Sequence, residues 1–475
     1  MQPNACVYVK NKKIMLGKSG SPEAQEKFRR LQIQVLSDPT YSFLESKQVS
    51  LYFWYNSYVF FRLFTLGCKV NQYESEIVRS AFLRHGYTEA EKGEIADFVV
   101  VNTCTVTAES EAKSRKAIRK LINDNPGSHV AVMGCAATHR PETILNISGV
   151  SQVITDKKEI PNFLRQLGIP VQCNSIDSFG ERHRAFIKIQ DGCQIGCSYC
   201  IIPKIRPVLH SRSIGDILPE IQTLIRNGYR EIVLTGIHLG HYGIDFADKS
   251  VRLAELVRRA VDFPGEFRLR LSSLEAVNVS DELIDLMLRY PDRICPHLHL
   301  PMQSGSDAVL RLMKRRWSRD TFVQRCEEIL SRFDRLALTT DVIVGFPGET
   351  VEQFEETCRV VEHLRFSKVH TFRFSPRKGT EAETLPNRVS PSEQKRRASI
   401  LTDLADKLRR DFAASLVGST ATVLLETATS GTCGRYLEVR SSPHLKAGAL
   451  ASVQIERSER DMCFGTLLSV NRPTS

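Results

Sequence analysis

"DGCQIGCSYC", residues 191–200, carries three cysteines in the pattern C-x3-C-x2-C. Cys193, Cys197 and Cys200 therefore lie on one short loop and offer three thiolates to a metal. A structural zinc site is normally closed by four protein ligands. The pattern leaves one coordination position for a ligand from elsewhere.

Two kinds of metal site are compatible with three cysteines on one loop. In the first, His183 or His210 supplies a fourth ligand and the site holds zinc. In the second, the thiolates hold an iron–sulfur cubane in which one iron is open to a small-molecule chelator. The close spacing of the cysteines, directly after a predicted strand, favours the iron–sulfur cluster.

The segments around the loop predict a partial barrel. From about residue 183 to about residue 385, apolar runs of strand length alternate with amphipathic helical patterns. Six such strand–helix units are typical of an open (β/α)6 barrel, whose chemistry lies at the carboxyl ends of the strands. The predicted strands are 185–190, 231–236, 267–273, 297–302, 336–346 and 369–375.

A second group of cysteines lies at the ends of three predicted strands nearer the amino terminus. Cys68, Cys104 and Cys135 each end an apolar run and its short turn, and helical patterns separate the runs. Alternating strands and helices predict a parallel α/β sheet, in which ligands gather at the carboxyl ends of the strands. The three cysteines are therefore expected to converge. The alternative is three unrelated buried cysteines, which are common individually.

The carboxyl-terminal part predicts one long helix and a small barrel. Ser390 and Glu393 predict a capping box around Pro391, and the segment from Arg388 to Arg410 has seven Lys or Arg residues against three Asp or Glu. Short alternating strands with glycine turns then predict a small antiparallel β-barrel of oligonucleotide-binding type. This barrel either binds RNA or only packs on its neighbour.

Length and composition place these parts in a multidomain protein of 475 residues. We expect an extension over 1–58 that is disordered or mis-annotated, an α/β domain over 59–170, a core with the basic helix over 180–410, and the barrel over 411–475. The net charge of +11 favours a nucleic-acid partner. Thirteen cysteines without an evident signal peptide indicate reduced thiols in the cytoplasm. The apolar run at 49–64 is too short and too interrupted for a membrane span.

The cysteine spacing, with Tyr199 between the last two cysteines, resembles the radical S-adenosylmethionine (SAM) superfamily. In that superfamily the amino and carboxylate groups of SAM chelate the open iron, and an electron from the cluster cleaves SAM to give a 5′-deoxyadenosyl radical. The resemblance implies that Tyr199 lies against the adenosine of SAM. The alternative for Tyr199 is simple packing beside the cluster loop.

Motifs in all regions after about residue 61 resemble the methylthiotransferases of this superfamily. The resemblance implies that Cys68, Cys104 and Cys135 hold a second 4Fe–4S cluster that handles sulfur, and that the terminal barrel is a TRAM domain. The motifs include "TLGCKVNQYESE" at 65–76, "VNTCTVT" at 101–107, "CSYCIIP" at 197–203, "DVIVGFPGET" at 341–350 and "FSPRKGT" at 374–380.

The residues around Cys68 most closely resemble enzymes that act on N6-threonylcarbamoyladenosine at position 37 of tRNA. The implied reaction converts the 2-position C–H into C–SCH3. It would use two 4Fe–4S clusters, SAM, an unidentified electron donor and sulfur source, and the anticodon-loop region of tRNA, with no side chain assigned as catalytic. Alternatives are isopentenyladenosine tRNA or ribosomal protein S12 as the substrate, or a non-catalytic iron–sulfur protein that binds RNA.

The chain also departs from the family pattern. In "KIRPVLHSR", Pro207, Val208 and His210 stand where glycine and arginines are usual, which puts substrate contacts by this loop in doubt. Ala136 replaces the aromatic residue that usually follows the third cysteine of the amino-terminal group. Lys314, Arg315 and Arg316 are a candidate further basic patch for RNA.

Overall fold

The chain divides into two compact units, Met1–Thr105 with Glu109–Asn174 and Val106–Ala108 with Ser175–Ser475. Residues 1–58, predicted to be a disordered or mis-annotated extension, lie mostly outside the described residues. The structure describes two antiparallel strands there, β1 (Asn4–Val9) and β2 (Lys12–Lys18). The computed structural model describes residues 4–9, 12–18, 59–169, 175–180, 183–442 and 446–470.

A five-stranded parallel sheet organises the first unit. Its strands are β3 (Phe60–Thr65), β4 (Thr88–Glu89), β5 (Phe98–Thr103), β6 (His129–Gly134) and β7 (Gln152–Val153). They pair in the order β4-β3-β5-β6-β7, and every pair is parallel. The predicted parallel sheet is confirmed.

Helices cover both faces of this sheet, which explains why its central strands are apolar throughout. Val100 packs with Phe61 and Phe82 on one face, while Val99 packs with Ile118 on the other. The helices are α1 (Lys69–Arg84), α2 (Ala108–Asp124), α3 (Cys135–His139), α4 (Pro141–Leu145) and α5 (Ile160–Gln166).

Six parallel strands in chain order form the partial barrel of the second unit, as predicted. The six strands are β8 (Arg184–Asp191), β10 (Glu231–Gly236), β11 (Arg268–Leu271), β12 (His297–His299), β13 (Ala337–Val344) and β14 (Lys368–Arg373). Isolated parallel bridges join β11 to the segment of β12, and a short further strand, β9 (His210–Ser211), pairs antiparallel with the edge of β8. Seven helices connect these strands: α6 (Ile202–Ile205), α7 (Ile214–Arg226), α8 (Leu253–Val261), α9 (Asp281–Arg289), α10 (Asp307–Leu312), α11 (Arg319–Ser331) and α12 (Val351–Leu364).

The long basic helix is present as α13 (Pro391–Ser415). The side chain of Ser390 accepts the backbone N–H of Glu393, as the capping box predicts. The reciprocal contact of the capping box, from the Ser390 backbone N–H to the Glu393 carboxylate, is wrongly predicted. The Glu393 carboxylate binds the guanidinium groups of Arg396 and Arg397 instead. Charge-assisted hydrogen bonds of this kind are stronger than a bond to a neutral N–H.

A closed five-stranded barrel follows α13. Its strands are β15 (Thr420–Leu425), β16 (Ser430–Cys433), β17 (Glu438–Ser442), β18 (Leu450–Glu459) and β19 (Met462–Val470). They pair in the closed order β15-β16-β17-β19-β18. The pairing is antiparallel as predicted, except that β17 and β19 run parallel.

This small barrel packs against the amino ends of the parallel strands. Arg268 and Arg270, on β11, donate to the carbonyls of Thr422 and Gly434 at 2.7 Å. The Arg270 guanidinium also lies 3.7 Å from the ring centroid of Tyr436. The small barrel and the cysteine loop, which follows the carboxyl end of β8, therefore lie at opposite ends of the strands.

Candidate metal centres and cofactor site

The amino-terminal cysteines lie along one edge of the parallel sheet. Cys68 is the residue before α1, Cys104 follows β5, and Cys135 is the first residue of α3. The strands before them, β3, β5 and β6, are neighbours in the sheet. Cys104 and Cys135 are buried, whereas Cys68 is exposed. The structure thus places three thiols at the carboxyl ends of three adjacent strands.

Asn71 connects two of these thiols, and the sequence reasoning did not single it out. Its Oδ1 lies 3.9 Å from the Cys68 sulfur and 3.8 Å from the Cys135 sulfur. Its Nδ2 donates to the carbonyls of Leu66 and Thr103 at 3.0 and 2.9 Å. One buried amide therefore fixes the turns before Cys68 and Cys104. The available signal was a polar residue three positions after Cys68, on the first turn of a helix.

Two glycines allow the backbone to approach this edge closely. Gly134 has φ of +94°, and a Cβ there would lie 2.2 Å from Asn102 Oδ1 and 2.5 Å from the Thr103 carbonyl oxygen. Gly67 has φ of +108°, and its Cβ would lie 2.8 Å from Asn71 Nδ2. Only glycine combines this backbone conformation with this lack of space. Ala136 is buried at the same edge.

The second cysteine set lies on a loop whose backbone is fixed by protein hydrogen bonds. The N–H of Cys193 donates to the Arg206 carbonyl at 3.2 Å, and that of Cys200 donates to the Cys197 carbonyl at 3.0 Å. Gly192 has φ of +79°, and a Cβ there would lie 2.0 Å from the Val208 carbonyl oxygen. The three thiols are therefore presented by a loop that is tightly packed on the segment after it.

Tyr199 packs beneath this loop. Its ring meets that of Phe346 edge-on, with the centroids 6.4 Å apart. It contacts an apolar cluster that includes Met313 and Phe374, together with the partly buried Ile343. Burial raises the pKa of the Tyr199 phenol well above its ordinary value, so the ring is neutral. The packing interpretation of Tyr199 has structural support, and its contact with SAM stays a prediction.

A buried ionic network reaches the second cysteine set. Arg315 donates to the Cys197 sulfur at 3.4 Å and pairs with Glu275 at 2.6 Å. The second Glu275 oxygen lies 3.5 Å from Nε2 of His238. Burial alone would raise the Glu275 pKa, but the His238 hydrogen bond and the Arg315 charge hold it below its ordinary value.

The prediction of an RNA-binding patch at 314–316 is wrong for Arg315. Its side chain is only 6% exposed, because a thiol and a buried carboxylate attract the guanidinium inward. Lys314 pairs with Glu381 at the surface. The sequence offered a weak signal for this network in the motif "RLSSLE", whose last residue is Glu275.

The divergent loop after the cysteines also uses its arginines internally. Nη1 of Arg206 donates to both carboxylate oxygens of Asp191 at 2.7 and 2.8 Å, and Arg212 pairs with Glu220 at 2.8 Å. Val208, in contrast, is exposed. The loop therefore packs against the cysteine loop, and its two arginines stabilise that packing and do not form an open RNA surface.

The spacing of the thiols tests which metal the two sets fit. In the part of the chain that the structure describes, only His299, Asp341 and His370 bring three metal-ligating atoms within 4.8 Å of one another. Sulfurs on one tetrahedral zinc ion, with Zn–S of about 2.3 Å, lie about 3.8 Å apart. Among the described residues, neither cysteine set, with or without a histidine, brings three ligating atoms this close together, so neither set is arranged around a single zinc ion. His183 lies beside Gly448 of the small barrel, away from the cysteine loop.

Two thiols of the second set, Cys193 and Cys200, are protonated until a metal binds. Burial raises the pKa of Cys193 and raises that of Cys200 to about 12. Metal coordination favours the thiolate, so loading of this loop releases protons and stabilises the folded loop. Three thiols, a rigid loop and an adjacent buried cation together fit a 4Fe–4S cluster.

Two different protein-family models match the two regions that carry the cysteine sets. Residues 61–156 match a family described only as uncharacterized protein family UPF0004, and residues 187–361 match the radical SAM superfamily. The threonylcarbamoyladenosine tRNA methylthiotransferase MtaB of Bacillus subtilis is 38% identical over 383 residues, which are 77% of this chain and 84% of the relative. The chain belongs to the radical SAM methylthiotransferase family.

Other members of the family differ in their named substrates. MtaB of Chlamydia pneumoniae is 36% identical over 417 residues, 86% of this chain and 98% of that one. The tRNA-2-methylthio-N(6)-dimethylallyladenosine synthase of Corynebacterium urealyticum is 33% identical over 386 residues, 76% and 71% of the two chains. Membership of the radical SAM methylthiotransferase family carries the use of an iron–sulfur cluster and SAM. Each helix that the structure describes is too short or too polar to cross a membrane.

Proposed function

We propose that the protein is a cytoplasmic tRNA methylthiotransferase that converts N6-threonylcarbamoyladenosine at position 37 to its 2-methylthio derivative. The main support is the level of identity, 38% and 36%, to two relatives named for this substrate. Both three-cysteine sets that the reaction would need are intact.

The two sets would have different roles. Cys193, Cys197 and Cys200 would hold the 4Fe–4S cluster that supplies the electron for SAM cleavage, while Cys68, Cys104 and Cys135 would hold the cluster that handles sulfur. Arg315 places a positive charge beside the Cys197 sulfur, where it would offset negative charge on a bound cluster. Tyr199 and its apolar neighbours line the floor of the loop and would limit the access of water there.

The same proposal assigns the domains. Residues 59–170 would carry the sulfur-handling centre, 180–410 the radical centre and 411–475 a TRAM domain that binds tRNA. On α13, Lys395, Lys407 and Arg410 are exposed and available for phosphates. Binding through such cations is salt-dependent because it releases counterions from the RNA. Three other arginines of the helix are held in ion pairs, namely Arg396, Arg397 and Arg409.

A second candidate substrate has specific support. The relative named as a dimethylallyladenosine synthase is 33% identical over 76% of this chain. Both candidate substrates are N6-substituted adenosines in tRNA, so the reaction would be the same and only recognition of the N6 substituent would differ.

Mass spectrometry of tRNA nucleosides from a deletion strain tests the proposal. We expect loss of 2-methylthio-N6-threonylcarbamoyladenosine and its return when the gene is restored. Loss of the dimethylallyl derivative instead would assign the second substrate. Loss of the methylthio group from ribosomal protein S12, with tRNA unchanged, would reject the tRNA proposal.

Single cysteine variants separate the two centres. The anaerobically reconstituted protein should hold about eight irons and cleave SAM. Cys197→Ala should abolish SAM cleavage, whereas Cys104→Ala should retain cleavage but form no methylthio product. Cys358→Ala, a matched control outside both sets, should behave as the wild type. About four irons without SAM cleavage in the wild type would indicate a non-catalytic iron–sulfur protein.

A further inference from the structure

A second group of polar side chains converges inside the partial barrel. His299, Asp341 and His370 come from β12, β13 and β14, and their ligating atoms all lie within 4.8 Å of one another. Asp341 is the direct register partner of His370, and Thr339 is that of His299. Nε2 of His299 lies 3.4 Å from Oδ2 of Asp341. Adjacent parallel strands therefore hold the three side chains in a fixed arrangement.

This group faces the same side of the sheet as the cysteine loop. Side chains two residues apart on a strand share a face, so Asp341 lies on the face of Ile343. Ile343 and Tyr199 of the cysteine loop both pack against the same apolar cluster. The side chains of His299 and Asp341 remain 17% and 28% exposed. They are thus open to a ligand.

The hydrogen bonds of this group orient His299. Its Nδ1 lies 2.9 Å from the hydroxyl oxygen of Thr339, which also lies 3.1 Å from Nε2 of His297. If Nδ1 accepts from the hydroxyl, Nε2 carries a hydrogen on the side of the Asp341 carboxylate. The opposite tautomer would direct a lone pair at the carboxylate, which is repulsive.

Asp341 adds an acceptor beside this donor. The 3.4 Å contact with His299 is longer than a normal N–H···O hydrogen bond. Among the described residues, the Asp341 carboxylate accepts no side-chain or backbone hydrogen bond, so it retains its capacity to bind a donor. The result is one hydrogen-bond donor and one acceptor, side by side and open to the interior.

We infer that His299 and Asp341 bind the edge of the target adenine that carries N6 and N1. Asp341 accepts the N6–H, and His299 Nε2–H donates to N1. A 6-aminopurine presents this donor–acceptor pair, and a donor–acceptor side-chain pair is its usual complement. Enzymes that modify a base commonly read the extruded base in this way. His370, whose ring centroid is 5.8 Å from that of His299, holds the His299 ring in place.

The inference rests on the proposed function and refines it. N6–H and the ring nitrogens are common to both candidate substrates, so these residues would recognise adenosine and not the N6 substituent. The reacting C2–H is next to N1 on the same ring. Binding of this edge would therefore keep C2 in position for hydrogen abstraction.

The test compares product formation with SAM cleavage in Asp341→Asn and His299→Leu. The substrate is a synthetic anticodon stem–loop that carries N6-threonylcarbamoyladenosine. We expect iron content and RNA-free SAM cleavage to stay unchanged, while the 5′-deoxyadenosine formed per methylthio group rises about tenfold. His299→Gln, which retains an N–H donor, should restore part of the coupling. Asp292→Asn, an exposed carboxylate before β12, is the matched control and should be unchanged.

A substrate analogue makes the test specific for the N6–H. An extra methyl group on N6 removes that hydrogen, and it should reduce coupling about tenfold in the wild type but have no further effect in Asp341→Ala. Equal effects of the methyl group in both proteins would overturn the inference. A divalent metal found beyond the cluster iron in the wild type and lost in Asp341→Asn, with coupling unchanged, would overturn it in favour of a metal site. Failure of the wild type to modify any tRNA would instead reject the proposed function.

Discussion

Glu231→Gln should loosen the small carboxyl-terminal barrel from the parallel strands. The Glu231 side chain is fully buried at the amino end of β10 and binds Arg268 at 2.7 Å and Arg270 at 2.8 and 3.0 Å. Burial alone would raise the Glu231 pKa, but the charges of Arg270 and Arg268 hold it far below its ordinary value. The same two arginines donate to carbonyl groups of the small barrel, among them those of Thr422 and Gly434. Glutamine keeps the shape but removes the charge, and its amide N–H groups would face a guanidinium.

The expected cost follows from the burial of both arginines. Their side chains are at most 3% exposed, so water cannot replace the lost carboxylate. Removal of one partner of a buried ion pair costs about 3–5 kcal/mol. Hydrogen exchange of peptides from β15 and β16, measured by mass spectrometry, should therefore lose protection by about a hundredfold or more.

Two variants control this prediction. Glu426→Gln removes a carboxylate that is 50% exposed and pairs with Arg184, so it should cost less than about 1 kcal/mol. Combining Glu231→Gln with Arg270→Met removes the carboxylate together with one of its two buried arginines, and it should recover part of the loss. If Glu231→Gln costs no more than Glu426→Gln, the argument that the buried charges fix the small barrel is refuted.

Three further predictions concern other parts of the chain. Asn71→Ala should cost about 1–3 kcal/mol in urea unfolding, because buried carbonyls lose their donor, and should lower the iron content at the amino-terminal cysteines. Gly134→Ala should prevent soluble expression, whereas Gly86→Ala, which also has positive φ but open space, should cost about 1–2 kcal/mol in thermal unfolding. Burial and the neighbouring His238 lower the pKa of His241 to about 4, so the stability it contributes is full above pH 6.5 and is lost as the pH falls toward 4. His241→Gln should therefore show a smaller drop of the unfolding midpoint over that range, and an unchanged drop would contradict this assignment.

The sequence predicted the parts of the fold that depend on local periodicity. Apolar runs such as 98–103 and 129–134 are buried along their whole length, and they are central strands of a parallel sheet. Placement of Cys68, Cys104 and Cys135 at neighbouring strand ends follows from that topology alone. Family motifs added the chemistry that spacing could not supply.

What the sequence could not predict depends on contacts between distant residues. Arg315 lies in a run of three basic residues, which is typical of an exposed patch, yet Glu275 and Cys197 draw it into the interior. Asn71 is unremarkable in a polar helix start until the turns before Cys68 and Cys104 close around it. In each case at least one partner is more than 30 residues away, so no local pattern signals the contact.

Helix α13 links the two ends of the second unit, and this constrains how tRNA could be held. Near its start, Arg397 binds the buried Glu349 at 2.7 Å, and that carboxylate also accepts the Gly345 N–H at 2.6 Å in the loop after β13. Near its end, Arg409 pairs with Asp461 of the small barrel at 2.8 Å. Arg397 and Arg409 are twelve residues apart, which corresponds to about 18 Å along the helix. RNA that contacts the small barrel near Asp461 must therefore extend about this far to bring a base to the carboxyl ends of the strands. Contacts at the barrel can then raise affinity for the whole tRNA without touching the reacting base, whereas His299 and Asp341 would act on that base alone.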